Sequence, residues 1–169
     1  NFGILFGQTA FGLSNLMNID TKVASEYIQS YFDHYKGVEQ YIRSLEREAY
    51  KRGFVQTMFG TTRNIRGLKS KNIRMQKAAQ REAINMPIQG SEADIMKLAM
   101  IKLDEMIEKD FNKKAYIILQ VHDELVFEVK EELVDDFVKK AKDIMENVVN
   151  LEVPLVVNSS IGNNLSELK

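Results

Sequence analysis

With 169 residues, 44% of them hydrophobic and 28% charged, the chain has the make-up of a folded segment with its own core, and its 9 Gly and 2 Pro exclude collagen-like and low-complexity classes. The absence of Cys excludes disulfide scaffolds, thiolate zinc sites and cysteine nucleophiles. No apolar run approaches the ~20 residues of a membrane helix, and the net charge of −1 conceals an uneven distribution of charge. The first residue is Asn1 and nothing near it resembles a signal peptide, so the chain is expected to be a piece of something longer.

Phe2, Phe6 and Phe11 alternate with Gly3, Gly7 and Gly12, which predicts a helix end running into close-packed turns. The cap pair Asp20-Thr21 opens a helix carrying Val23, Tyr27, Ile28, Tyr31, Phe32 and Tyr35, expected to end over residues 34–37. A second helix shows Val38, Tyr41, Ile42, Leu45 and Ala49 and stops at Gly53. Residues 54–59 read as a strand leading into a turn at Gly60. A basic helix is expected over residues 70–85, interrupted by Pro87. Ser91-Glu92-Ala93-Asp94 has the pattern of a capping box opening the next helix. That helix places Ile95, Ala99, Leu103, Met106 and Ile107 on one stripe. Residues 116–121 and 125–129 are apolar strands around His122-Asp123-Glu124, hence a tight hairpin. A helix with Leu133, Phe137, Ala141, Ile144 and Val148 follows, then a final strand over residues 154–161. The expected fold class is α+β: helices with a small antiparallel sheet made of the hairpin and the C-terminal strand.

Between Arg63 and Arg81 stand seven basic residues (Arg63, Arg66, Lys69, Lys71, Arg74, Lys77 and Arg81) and no acidic one, whereas residues 104–152 hold 14 acidic against 7 basic. A basic run beside an acidic half offers a polyanion a place to dock while the whole stays near neutral. A solvated, Lys-rich helix face is the plainer reading of the same charges.

Asp123 and Glu124 at the hairpin tip are the sharpest chemical feature. Two-metal phosphoryl transfer needs carboxylates on rigid elements to hold two divalent ions about 3.5–4 Å apart. Magnesium takes few protein ligands and keeps waters, so a pair of acids can serve. Acids in turns are also common as mere solvated turn residues. His122 does not suit a His-based zinc site, because the other histidine, His34, stands on a distant helix. A hydrogen bond near a phosphate or sugar fits His122 better, and a turn residue without a role is the alternative. Arg81, Asn85 and Gln89 recur every four residues, Arg81 and Asn85 on one helix face and Gln89 just past Pro87. All three can donate to the N3 and O2 acceptors that every base pair shows in the minor groove, a contact that checks duplex shape without reading sequence; taken alone, polar residues at four-residue steps are more often a solvated helix face.

Asn1-Phe2-Gly3-Ile4-Leu5-Phe6-Gly7 resembles the end of the nucleotide-binding fingers helix of family A DNA polymerases, the bacterial DNA polymerase I type. Three further segments follow in that family's order: Arg52-Gly53-Phe54-Val55-Gln56-Thr57-Met58-Phe59-Gly60, then Asn85-Met86-Pro87-Ile88-Gln89-Gly90-Ser91-Glu92-Ala93-Asp94-Ile95, then Gln120-Val121-His122-Asp123-Glu124-Leu125-Val126-Phe127-Glu128. The resemblance runs from Asn1 to about Gly162. It implies that residues 1–75 are the C-terminal part of the fingers and residues 76–169 a portion of the palm. It further implies that Asp123 is one of two palm aspartates holding two Mg²⁺ ions, with Glu124 assisting and His122 near the primer terminus. Arg81, Asn85 and Gln89 would track the minor groove of the new duplex. Phe2 would pack against the incoming sugar, and Phe6, Gly7 and Thr9 would lie near the templating base.

The chain departs from that pattern at Phe6, where the family usually has Tyr, at Thr61-Thr62 in place of two Arg, and at Arg66 in place of Pro. The second palm aspartate and the triphosphate-binding Arg and Lys belong to family segments upstream of Asn1. The implied partners are primer-template DNA, deoxynucleoside triphosphates and the remainder of a polymerase chain, with no membrane. The implied compartment is the bacterial cytoplasm or an organelle. The isolated segment is expected to be inactive. The rival readings are a duplex-binding module without chemistry and a helical protein-interaction module.

Overall fold

The computed structural model describes residues 2–168, Phe2 without its side chain. They form two compact units, Asn1–Ser91 and Glu92–Lys169. In the first unit, helix α1 (Phe2–Leu5) leads into a turn where Gly7 has φ of +80°. Helix α2 (Ala10–Met17) follows, capped by Thr9, whose Oγ1 accepts from the Gly12 N–H at 3.1 Å. The sequence reading expects only turns here. Gly12 lies inside α2, and Phe11, Leu16 and Met17 are exposed, so no buried stripe announces the helix.

Helix α3 (Thr21–His34) starts as expected at Asp20, whose carboxylate accepts from the Lys22 N–H at 2.7 Å. Gly37 does not end it. Tyr35 alone separates α3 from helix α4 (Lys36–Arg52), and Gly37 falls in the first turn of α4. Helix α4 stops at Gly53, as its sequence predicts, in a left-handed cap at φ +80°.

Strand β1 (Phe54–Gln56) is shorter than expected and pairs antiparallel with strand β2 (Thr62–Asn64), Val55 opposite Arg63. Strand β2 is exposed along its length and lacks the apolar alternation that marks a strand in sequence. The core of this unit is Ala49, Val55, Ile65, Leu68, Ala79 and Ala83, with Met86 packed against it.

Helix α5 (Ile73–Met106) corrects two expectations at once. It runs unbroken through Pro87, and Ser91 caps nothing. An interior proline removes a backbone donor and crowds the carbonyl four residues back, at about 3 kcal/mol. Packing on both sides of the proline offsets this. Ala79, Ala83 and Ile84 are buried before it and Ser91 after it. The Ser91 hydroxyl donates to the Pro87 carbonyl and accepts from the Met58 N–H at 2.9 Å. A Cβ on Gly90 would stand 2.7 Å from Thr57 Cγ2, so glycine there permits the β1–β2 turn to approach the helix.

In the second unit, the C-terminal part of α5 ends in a π-helical turn (Ile107–Phe111). Strands β3 (Ala115–Val121) and β4 (Glu124–Val129) follow, then a 3₁₀ turn (Glu131–Leu133) and helix α6 (Val134–Glu146). The stripe read from the sequence is the core. Leu103 is fully buried among Ala99, Met106, Ile107, Phe111, Ala115, Phe137, Ala141 and Val148. Phe137 meets Phe111 and Phe127 edge to face, at 5.2 and 4.9 Å between ring centroids. These contacts hold the base of the hairpin to the helices.

The fold class is α+β, as expected, but its sheet differs. Among the described residues there are two separate two-stranded sheets, and residues 154–161 form no strand. Val153, Val156 and Ile161 are exposed, and the Val157 N–H is taken by the Glu146 carboxylate rather than by a neighbouring strand. A β-branched run without a ladder partner stays irregular. No helix of the described residues is long and apolar enough to cross a membrane.

Candidate nucleic-acid interface and carboxylate hairpin

The continuity of α5 changes the geometry of the polar face. Arg81, Asn85 and Gln89 all lie on one helix, at 40° increments around its axis, so Gln89 joins the other two rather than standing beyond a break. Arg81 and Gln89 are exposed and Asn85 is half-buried. Asn85 buries its Oδ1 without a hydrogen-bond partner among the described residues.

The basic run is less uniform than its composition suggests. Arg63 is tied to Glu82, Nε to Oε1 at 2.8 Å, and Lys69 lies over the Tyr50 ring at 5.2 Å from its centroid. Glu82 stands one residue past the basic run, and its pairing with Arg63 depends on β2, whose own residues carry no strand signal. Arg66, Lys71, Arg74, Lys77 and Arg81 are exposed and have no carboxylate partner among the described residues. Gly7 packs against this face: a Cβ there would stand 3.1 Å from Arg81 Cγ. Phe6 is half-buried beside it in sequence, and Thr9 is engaged as the α2 cap. The Phe2 side chain lies outside the described residues.

The hairpin turn is the tight one expected from sequence. Val121 pairs with Glu124, leaving His122 and Asp123 as the two turn residues. His122 has φ of +52°, the positive value that two-residue hairpin turns need to match strand twist. Its carbonyl accepts from Gln120 Nε2 at 2.8 Å, which braces the turn from within β3. A register irregularity between Ile117 and Leu119 adds twist nearer the base. Asp123 and Glu124 are exposed, and no hydrogen bond or ion pair engages their carboxylates among the described residues. No group of three or more His, Cys, Asp or Glu side chains forms a complete metal site among them. The acid pair fits a partial donor set for a hard cation such as magnesium, which binds through one or two carboxylates and retains water. It does not fit a cage closed by this chain alone.

Among solved structures, the chain is similar to part of a nucleic-acid polymerase domain. The POL domain of Pol1 from M. smegmatis, in complex with DNA primer-template and dNTP, matches with a TM-score of 0.86 and 40% identity, over 91% of this chain and 27% of that one. The chain belongs to DNA polymerase family A, whose sequence profile matches residues 1–167. DNA polymerase I of Pseudomonas aeruginosa is 43% identical over 167 residues, covering 99% of this chain and 18% of that protein. DNA polymerase I of Caldicellulosiruptor bescii is 46% identical over 169 residues, covering all of this chain and 20% of that protein. The chain thus spans about a fifth of the length of these curated relatives.

Proposed function

We propose that the chain is the segment of a DNA-directed DNA polymerase that ends the fingers, over residues 1–75, and supplies a portion of the palm, over residues 76–169. The observation that carries this reading is the match along nearly the whole chain to DNA polymerases I and to a polymerase domain solved with primer-template and dNTP. The reaction is templated attack of a primer 3′-hydroxyl on a deoxynucleoside triphosphate, with release of pyrophosphate. Asp123 and Glu124 are the residues of this chain that would hold magnesium, Asp123 as anchor and Glu124 in support. The bound ions supply charge neutralisation at the attacking and leaving oxygens. The hairpin holds the two acids, with His122 beside the primer terminus. Arg81, Asn85 and Gln89 donate to minor-groove acceptors common to all base pairs. Phe6, Gly7 and Thr9 lie near the templating base.

The full-length protein that contains this chain should extend a primer on a template with Mg²⁺ and the four deoxynucleoside triphosphates. The purified 169-residue chain should not, because it holds too few of the required ligands. Failure of the full-length protein to extend any primer-template would contradict the assignment, and robust extension by the isolated chain would misplace the active site.

A further inference from the structure

We infer that Gly7 is a positioning residue for Arg81: the α1–α2 turn lays bare backbone against the aliphatic stem of that arginine and sets where its guanidinium meets duplex DNA. The inference rests on the minor-groove reading of Arg81 above and adds the part that holds it. A Cβ built on Gly7 would stand 3.1 Å from Arg81 Cγ and 3.7 Å from Arg81 Cδ, and apart from chain neighbours nothing else comes within 4 Å. The contact is therefore made to one side chain, along its methylenes. Nothing else orients the far end of that side chain. Arg81 is exposed, and its guanidinium has no hydrogen bond or carboxylate partner among the described residues. A long side chain free at its tip explores many rotamers, and a stem pressed against backbone removes the ones that swing toward α1.

Two independent conditions favour glycine at this position. Its φ of +80° lies in the left-handed region, which other residues adopt with strain. A Cβ would also stand 3.1 Å from the Arg81 stem, close enough to displace it by a few tenths of an ångström. The first condition concerns the turn and the second concerns DNA. Asparagine tolerates left-handed backbone better than alanine does, so Gly7→Asn relaxes the first condition while still violating the second.

The test is primer-template affinity against salt in the full-length protein, for Gly7→Ala, Gly7→Asn, Arg81→Ala and the two double variants, with melting temperature recorded for each. Arg81→Ala should lower the slope of log affinity against log salt by about 0.9, one contact's worth, or about 3.5-fold between 50 and 200 mM salt. Each Gly7 variant that melts as the parent does should lower the slope in the same direction by a part of that amount. In the Arg81→Ala background neither Gly7 variant should change affinity or slope further. Gly7 effects that add in full to Arg81→Ala, or Gly7→Asn with an unchanged slope, would overturn the positioning role while leaving Arg81 as a contact. An unchanged slope in Arg81→Ala itself would overturn the minor-groove reading and the positioning role together.

Discussion

Ser91→Ala separates two incompatible roles for one hydroxyl. In the structure this oxygen accepts from the Met58 N–H at 2.9 Å and donates to the Pro87 carbonyl, fastening the β1–β2 turn to α5 one turn past the proline. Removing it leaves the Met58 N–H without its partner, in a partly buried position. An unsatisfied buried donor costs about 1–3 kcal/mol, and partial access of water to this amide places the effect at about 1–2 kcal/mol, a factor of roughly 5–30. Hydrogen exchange read residue by residue is the direct assay. The Met58 amide should exchange faster by that factor, while amides over residues 92–106 keep the protection of an intact helix. A capping role predicts the reverse pattern, fraying of the residues after Ser91 with Met58 undisturbed. That second pattern would refute the latch and restore a helix break at Pro87.

Gln89→Ala should leave the salt dependence of primer-template affinity nearly unchanged, since the side chain is neutral, but should weaken discrimination against a mismatched primer end; equal affinity ratios for matched and mismatched ends in variant and parent would remove Gln89 from the interface. Leu103→Ala should lower stability by about 2–5 kcal/mol in urea unfolding, because Leu103 is wholly buried at the centre of the second unit, and a loss under about 1 kcal/mol would contradict that packing. Lys140 Nζ lies 3.0 Å from Asp110 and 3.1 Å from Asp136, and the hydrogen bonds to Asp110 and then Asp136 raise its pKa above the ordinary 10.5. A raised folded pKa gives a small stabilisation that is complete below the ordinary value and lost as pH climbs through the folded one. The melting temperatures of parent and Lys140→Met should therefore converge above about pH 10.5, and a gap that widens there would reverse the assignment.

What the sequence disclosed, and what it withheld, follows from where each element draws its stability. Helix α3 announces itself through Asp20, and α4 ends where Gly53 must take a left-handed turn; both signals are local. The hairpin is equally legible, since two apolar runs flank His122-Asp123-Glu124, although Glu124 opens β4 and the turn itself has two residues. Strand β2 owes its existence to β1 and presents only exposed side chains, so nothing in its own residues marks it. Pro87 gives the opposite error. Its local rule is sound, but burial of Ala83 and Ile84 and the Ser91 latch outweigh it. That override in turn places Gln89 on the same helix as Arg81, so the candidate interface is more coherent in the structure than in the sequence. The adjacent acids Asp123 and Glu124 are visible in the sequence, but their metal-holding role comes from the family resemblance, whereas Glu82, which takes Arg63 out of the free basic surface, emerges only from the fold.

If Asp123 serves chemistry rather than DNA binding, the full-length protein carrying Asp123→Ala or Glu124→Ala should show it in single-turnover nucleotide incorporation measured beside primer-template affinity. Loss of one anchor of a two-metal site should slow incorporation by orders of magnitude while duplex affinity changes little, with a smaller effect at Glu124. Near-parental incorporation by Asp123→Ala, or a loss confined to DNA affinity, would remove Asp123 from the chemistry.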